Sequence, residues 1–314
     1  MIRIENCNFD TTIAFDLFVF TVNYEERSTY LFDMLSDRLN PENTLLIVTD
    51  NYRDFPYARD KIDALSEKTI FNAFPYTKSE DSFVNTIVQA IRKKKATKSP
   101  VSGFVDYSSL PRKWYCSMPK HLEKELDDDD IVYFWYSEGQ YAGIQERYPT
   151  AGTDAYCHSG GQPSLFAESR THIIGLSYDV IRTRGIIQKT DPDYLILLDA
   201  HDHEREDIGR KLADINAEIL PQAGMHASLD ISDFSYMVNR IKEIVTERLY
   251  VDDVILIPDG PKPLILAMSM MPLLINRRGL TCIHVARNMH QFVPIEVKAS
   301  QKIVGFSFRT ISAG

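Results

Sequence analysis

Short β-rich apolar runs alternate along this chain with longer amphipathic stretches, the pattern of βαβ units built around a parallel sheet. Phe15–Val22 (FDLFVFTV) predicts a first strand, and Glu25–Leu39 a helix behind it. LLIVT at 45–49, Thr69–Phe74, GFVDY at 103–107 and IVYFWY at 131–136 predict four more strands. Helices are expected between them near Tyr57–Glu67, over Ser79–Lys95 with Ser79 as N-cap, and from about Pro111 to Leu126.

The alternation breaks from Gly139 to Ser169. GTDAYCHSGGQPS has no period and is rich in Gly, Ser and Pro, so 149–169 is expected to be a linker or functional loop. A second set of strands then follows: HIIGLSY at 172–178, YLILLDA at 194–200, AEILP at 217–221, VILIP at 254–258 and TCIHVA at 281–286. Helices are expected near Glu204–Ile215, over Ile231–Leu249 with Ser232 or Asp233 as cap, and over PLILAMSMMPLLI at 263–275. FVPIEVKA and KIVGFSFRT at the end predict an antiparallel hairpin on a sheet edge. The expected fold is α/β: two Rossmann-like halves, 1–148 and 170–314, with mostly parallel sheets and that C-terminal antiparallel hairpin. One sheet spanning both halves is the competing layout.

Composition narrows the function classes. The 314 residues are 44% hydrophobic and 25% charged, as in ordinary globular proteins. No run of 18 or more apolar residues is present, so no membrane-spanning helix is expected. MIRIENCNFD lacks the features of a signal peptide, and Cys7, Cys116, Cys157 and Cys282 show no pairing or metal-ligand spacing. Reduced thiols and a cytoplasmic location are the expectation. A formal charge of −9 and a pI of 5.4 argue against generic nucleic-acid binding. The basic cluster Arg92, Lys93, Lys94, Lys95, Lys98 and the acidic run Asp127–Asp130 read as solvated helix ends and loops.

Ligands of open α/β sheets bind outside the strand C-termini, so the residues following each strand are the candidates. NYEERS contributes Glu25 and Arg27; VDYSSLPR contributes Asp106, Ser108, Ser109 and Arg112; IVYFWYSEG contributes Glu138. Glu25, Asp106 and Glu138 are candidate acids or bases, while the dipole of a helix start also explains acidic residues near Glu25. Ser108 and Ser109 are candidates for helix capping or ligand contact, and Arg112 for a phosphate or carboxylate. In the second half Tyr178 follows a strand. VILIPDGPKPLILAMSMM leads from a buried strand through Gly260 and Lys262 into an apolar helix, a place suited to phosphate although no Walker pattern is present. Pro263 at the first helical position equally suits a plain structural turn. Asp199, His201 and His203 alternate like metal ligands but lack helical i, i+4 spacing, and Cys157–His158 suggests a thiol nucleophile. A solvated or flexible loop is the favoured reading of both, so no metal and no cofactor is expected.

The strand–turn–lysine–helix unit at Val254–Met271 resembles the corresponding segment of CARF domains, and a duplicated Rossmann-like layout is similar to SAVED domains. The turn in such domains is commonly glycine-threonine-lysine; this chain has Gly260, Pro261 and Lys262. The resemblance implies a sensor of oligonucleotide second messengers in prokaryotic antiviral defence, with Gly260 and Lys262 touching the ligand. Three functions are therefore carried forward. The first is a sensor for a nucleotide or other phosphorylated small molecule, acting through a protein partner or self-association. The second is a nucleotide-processing hydrolase or glycosidase using strand-end carboxylates. The third is an interaction subunit presenting Trp114, Tyr115, Trp135 and Tyr136.

Overall fold

A computed structural model describes residues 1–49, 53–65, 69–74, 80–141, 153–164, 167–287 and 297–312. In chain order the elements are β1 (Ile2–Cys7), β2 (Leu17–Thr21), α1 (Tyr30–Met34), β3 (Thr44–Thr49), α2 (Pro56–Leu65), β4 (Ile70–Phe74) and α3 (Glu80–Lys95). Then come β5 (Ser102–Asp106), α4 (Arg112–Glu125), β6 (Ile131–Tyr141), β7 (Thr153–Gln162), β8 (Arg170–Gly175), α5 (Val180–Thr190) and β9 (Tyr194–His201). The chain closes with α6 (Glu206–Ile215), β10 (Met225–Asp230), α7 (Phe234–Arg248), β11 (Asp253–Ile257), α8 (Lys262–Ile275), β12 (Leu280–Arg287) and β13 (Val297–Thr310).

These elements form two compact units, Met1–Gly143 with Pro294–Gly314, and Ile144–Val293. The first holds a seven-stranded sheet ordered β1-β13-β6-β5-β2-β3-β4; the second holds a six-stranded sheet ordered β10-β9-β8-β11-β12-β7. Counted within each unit, the five parallel strands run 3-2-1-4-5 in both cases, the doubly wound order of a Rossmann sheet. The strand order reverses between β2 and β5 in one unit and between β8 and β11 in the other. β2 is buried along its whole length (Leu17, Phe18, Val19, Phe20, Thr21), as a central parallel strand covered on both faces must be.

Several segments differ from the sequence expectation, each for a local reason. The expected helix over 25–39 is broken into a 3-10 turn at Glu26–Thr29, the short α1 and a second 3-10 turn at Ser36–Arg38. The Thr29 hydroxyl there bonds the Asp33 carboxylate and Tyr57, and such local side-chain bonds compete with regular helix. The expected linker contains β7, which pairs antiparallel with β12. Its glycines read as loop, but Gly161, at φ +111°, lies so close to β12 that a Cβ would come 2.7 Å from the Leu280 carbonyl oxygen. AEILP is a loop with a 3-10 turn at Leu220–Gln222; the strand follows as β10. Of the C-terminal runs, 292–296 lies outside the described residues. β13 is antiparallel as expected, but it returns to the first unit and inserts between β6 and β1. The second unit therefore ends at Val293 and not at residue 314.

One core residue makes stability pH-dependent. His172 in β8 is 1% exposed, and neither ring nitrogen has a hydrogen-bond partner among the described residues. Burial, reinforced by the positive charge of Arg170, holds its pKa below the ordinary 6.5. The unfolded chain therefore binds this proton more readily, and stability is lost as pH falls below about 6.5. His172→Leu is expected to flatten the fall in urea midpoint between pH 7.5 and 5.5; an unchanged slope would rule His172 out as its source.

Candidate functional site

At the switch point of the first unit, Asn23 ties the two strand-end loops together. Its Oδ1 accepts from the Glu25 amide at 2.7 Å and its Nδ2 donates to the Ser109 carbonyl at 3.2 Å. Arg27 is 2% exposed. Its Nε donates to Glu25 Oε2 at 2.6 Å, and its Nη1 donates to the Ser137 carbonyl at 3.0 Å and the Tyr136 hydroxyl at 3.3 Å. Burial pushes the Tyr136 hydroxyl above its ordinary pKa; Arg27 works against that, while Glu138 and Glu25 add to it. Glu25, Arg27, Tyr136 and Glu138 thus form one electrostatic group.

β6 outruns its neighbour: β5 pairs with it only as far as Asp106 opposite Trp135. Beyond that point side chains replace the missing strand. Ser108 Oγ accepts from the Ser137 amide at 2.7 Å while Arg27 donates to the Ser137 carbonyl. Asp106, 1% exposed, accepts from the Ser108 amide at 2.9 Å. Gly139 leaves room for this: a Cβ there would lie 2.7 Å from Arg27 Nη1 and 2.6 Å from Val297 Cγ1. Ser108 and Arg27 therefore have a structural task at the strand end.

Ser109, Ser137, Glu138 and Arg112 also stand at this strand end. The Ser109 and Ser137 hydroxyls, on residues 4% and 0% exposed, have no hydrogen-bond partner among the described residues. Glu138, 8% exposed, accepts from Ser300 Oγ at 3.0 Å through Oε2, and among the described residues no cation pairs with it. Arg112 opens α4, a helix whose N-cap, Pro111, supplies no side-chain hydrogen bond. A cavity of about 190 Å³ lies beside Arg27, with Thr29, Tyr57, Lys61 and Ala299 among its walls. That is smaller than the sites that enclose drug-sized ligands. A larger hollow of about 600 Å³ sits at the opposite, N-terminal strand edge around Asp127–Asp130, where Rossmann ligands do not bind.

The second switch point is filled by the chain itself. The Arg182 guanidinium, 2% exposed, meets the Asp259 carboxylate, with Asp179 at 3.9 Å, and Ser177 Oγ donates to Asp259 Oδ2 at 3.1 Å. Gly175 abuts the Asp259 main chain. Gly260, at φ +96°, leaves no room for a Cβ, which would lie 2.5 Å from the Leu176 carbonyl oxygen. Half-buried Tyr178 lies between Ser177 and Asp179, and half-buried Lys262 is the first residue of α8. Gly260, Lys262 and Tyr178 are thus gathered in the second unit, whereas Glu25, Arg27, Asp106, Ser108, Ser109, Arg112 and Glu138 belong to the first.

Asp199 is engaged by its neighbours. It accepts from Ser228 Oγ at 2.8 Å and contacts His226 Nε2 at 2.7 Å and His201 Nδ1 at 3.0 Å. Burial alone would raise its pKa, but these bonds outweigh it and hold the carboxyl below its ordinary range. The His203 ring lies 5.0 Å from that of His201. Among the described residues no group of three or more His, Cys, Asp or Glu is arranged to hold a metal ion. Cys157 and His158 fall on β7, with side chains outside the described residues. Trp114, Tyr115, Trp135 and Tyr136 are buried, at 1%, 0%, 1% and 4% exposure, so they present no surface. Three residues of the basic cluster are paired locally: Arg92 with Glu125 at 2.6 Å, Lys95 with Asp127 at 2.6 Å and Asp130 at 2.8 Å, and Lys98 with Asp16 at 2.6 Å.

Neither a protein-family model nor a curated protein matches the chain. Among solved structures it is similar to the cytoplasmic domain of a prokaryotic cation chloride cotransporter. That match has 12% identity and a TM-score of 0.24, covering 87% of this chain and 96% of that one. No described helix is long and apolar enough to cross a membrane.

Proposed function

We propose that this chain is a sensor binding a nucleotide-type phosphorylated small molecule at the strand-end edge of its first unit. The observation that carries this is the pair of buried hydroxyls, Ser109 after β5 and Ser137 in β6, that have no hydrogen-bond partner among the described residues at the strand-end edge of this Rossmann sheet. Buried polar groups are almost always satisfied, and a polar ligand would satisfy these. Arg112 and the start of α4 suit an anionic group. The turn at Gly260–Lys262 that resembles CARF domains lies in the second unit, so an oligonucleotide messenger of antiviral defence is the ligand to expect if binding depends on Lys262.

A thermal-shift screen with mononucleotides and cyclic oligonucleotides tests it. A ligand at 100 times its Kd stabilises the folded state by about 2.7 kcal/mol. That shift is expected to be lost in Arg112→Ala and kept in Lys262→Ala. The reverse pattern would move the site to the second unit, and no shift with any compound would overturn the proposal. The buried Glu138 carboxylate also favours a hydrolase reading; nucleotide turnover abolished by Glu138→Gln would decide for it.

A further inference from the structure

The cavity beside Arg27 carries both signs of charge. Glu26, Asp33 of α1 and Lys61 of α2 line it together with Arg27, and the rings of Tyr30 and Tyr57 are among its walls. At about 30 Å³ for each water of the liquid, its volume of about 190 Å³ offers the space of about six waters. A mononucleotide is far too large for it, so this space lies outside the nucleotide reading. A molecule of about six or seven non-hydrogen atoms fits.

The charges differ in how firmly they are held. Arg27 is balanced by Glu25 at 2.6 Å. Lys61 Nζ stands 3.6 Å from Asp33 Oδ2, beyond the roughly 2.7–2.9 Å of a tight charge-assisted hydrogen bond, and both side chains reach solvent. Such a pair is weak and opens at little cost. The Thr29 hydroxyl donates to Asp33 Oδ2 at 3.0 Å, and the Tyr57 hydroxyl donates to the Glu26 carbonyl at 2.8 Å. Burial pushes that tyrosine hydroxyl above its ordinary pKa; the Thr29 bond opposes this, while the charges of Asp33 and Glu26 add to it. Both carboxylates therefore act on one part of the cavity wall. A bare anion such as phosphate is repelled by them. A bare amine that draws Asp33 away leaves Lys61 without its counter-charge. A molecule with an ammonium and a carboxylate on one carbon replaces both halves of the pair at once. We propose that this cavity binds a small free α-amino acid, its ammonium held by Asp33 and Glu26 and its carboxylate by Lys61.

Calorimetric titration with L-alanine, L-serine, inorganic phosphate and the two single-charge analogues of alanine, ethylamine and propionate, tests it. Alanine or serine is expected to bind wild type. Hydrogen bonds to a charged group carry about a tenfold or greater difference in affinity, so each analogue is expected to bind at least about tenfold more weakly than alanine. Asp33→Asn keeps an acceptor for Thr29, and Lys61→Met keeps the apolar stem. Each is expected to lower amino-acid affinity at least about tenfold while melting with wild type, because a partly exposed pair contributes little to stability. Should a variant melt early, the comparison of alanine with its analogues on wild type still decides. Failure of both amino acids to bind, binding of ethylamine, propionate or phosphate as tight as that of alanine, or full affinity in either variant would overturn the assignment.

Discussion

Gly305→Ala is expected to destabilise the first unit by about 3 kcal/mol, at the upper end of the cost of overpacking a core. Gly305 lies in β13 directly opposite Trp135 of β6, with Cys7 of β1 on its other side. A methyl group there would be driven into the six-membered ring of Trp135. The ring has no room to retreat. It is 1% exposed, stacked on Phe104 at 5.9 Å and Tyr133 at 6.3 Å, and met edge-on by Phe9 at 5.2 Å. Interiors packed to crystal density transmit such a displacement to the next layer. Urea unfolding followed by tryptophan fluorescence would read the effect. Gly185→Ala in α5 is the control: nothing lies within 4 Å of its added methyl, so the helix is expected to gain up to about 1 kcal/mol. If Gly305→Ala unfolds at the wild-type midpoint, the Trp135 layer is softer than its packing implies.

The parallel strands other than β10 were legible because their apolar runs are dense and short, as in FVF at 18–20 and LILL at 195–198. β1 and β10 were not. Each is an edge strand with polar residues along it, IRIENC and MHASLD, and the pairing of β1 is supplied by β13 from the other end of the chain. β7 was hidden by glycines that serve close strand approach but have the composition of a loop. The polar loops of the first unit could be placed at the strand ends from sequence. What could not be read was how their members divide the work. Ser108 and Arg27 replace a missing strand for Ser137, and only the unequal lengths of β5 and β6 create that need. Ser300 reaches Glu138 from 162 residues away, and His226 reaches Asp199 across a strand pair, so neither leaves a local signal.

Asp259→Ala is expected to cost the second unit about 3–5 kcal/mol, the usual penalty for removing one partner of a buried ion pair. The loss arises mainly from what remains. Arg182, 2% exposed, would keep its charge without the Asp259 carboxylate, with Asp179 at 3.9 Å, and the Ser177 hydroxyl would lose its acceptor. If charge burial is the cause, removing both charges together should recover most of the stability. The double variant Arg182→Met with Asp259→Leu is therefore expected to lie well above Asp259→Ala in urea midpoint, since an apolar pair of similar volume no longer has to be desolvated. A double variant no better than Asp259→Ala would mean that the turn geometry around Gly260, rather than the charge pair, holds β8 and β11 at this point. The same variants bear on the ligand site. If the second switch point is closed by its own ion pair, nucleotide affinity should be unchanged in any variant that remains folded, because binding would reside entirely in the first unit.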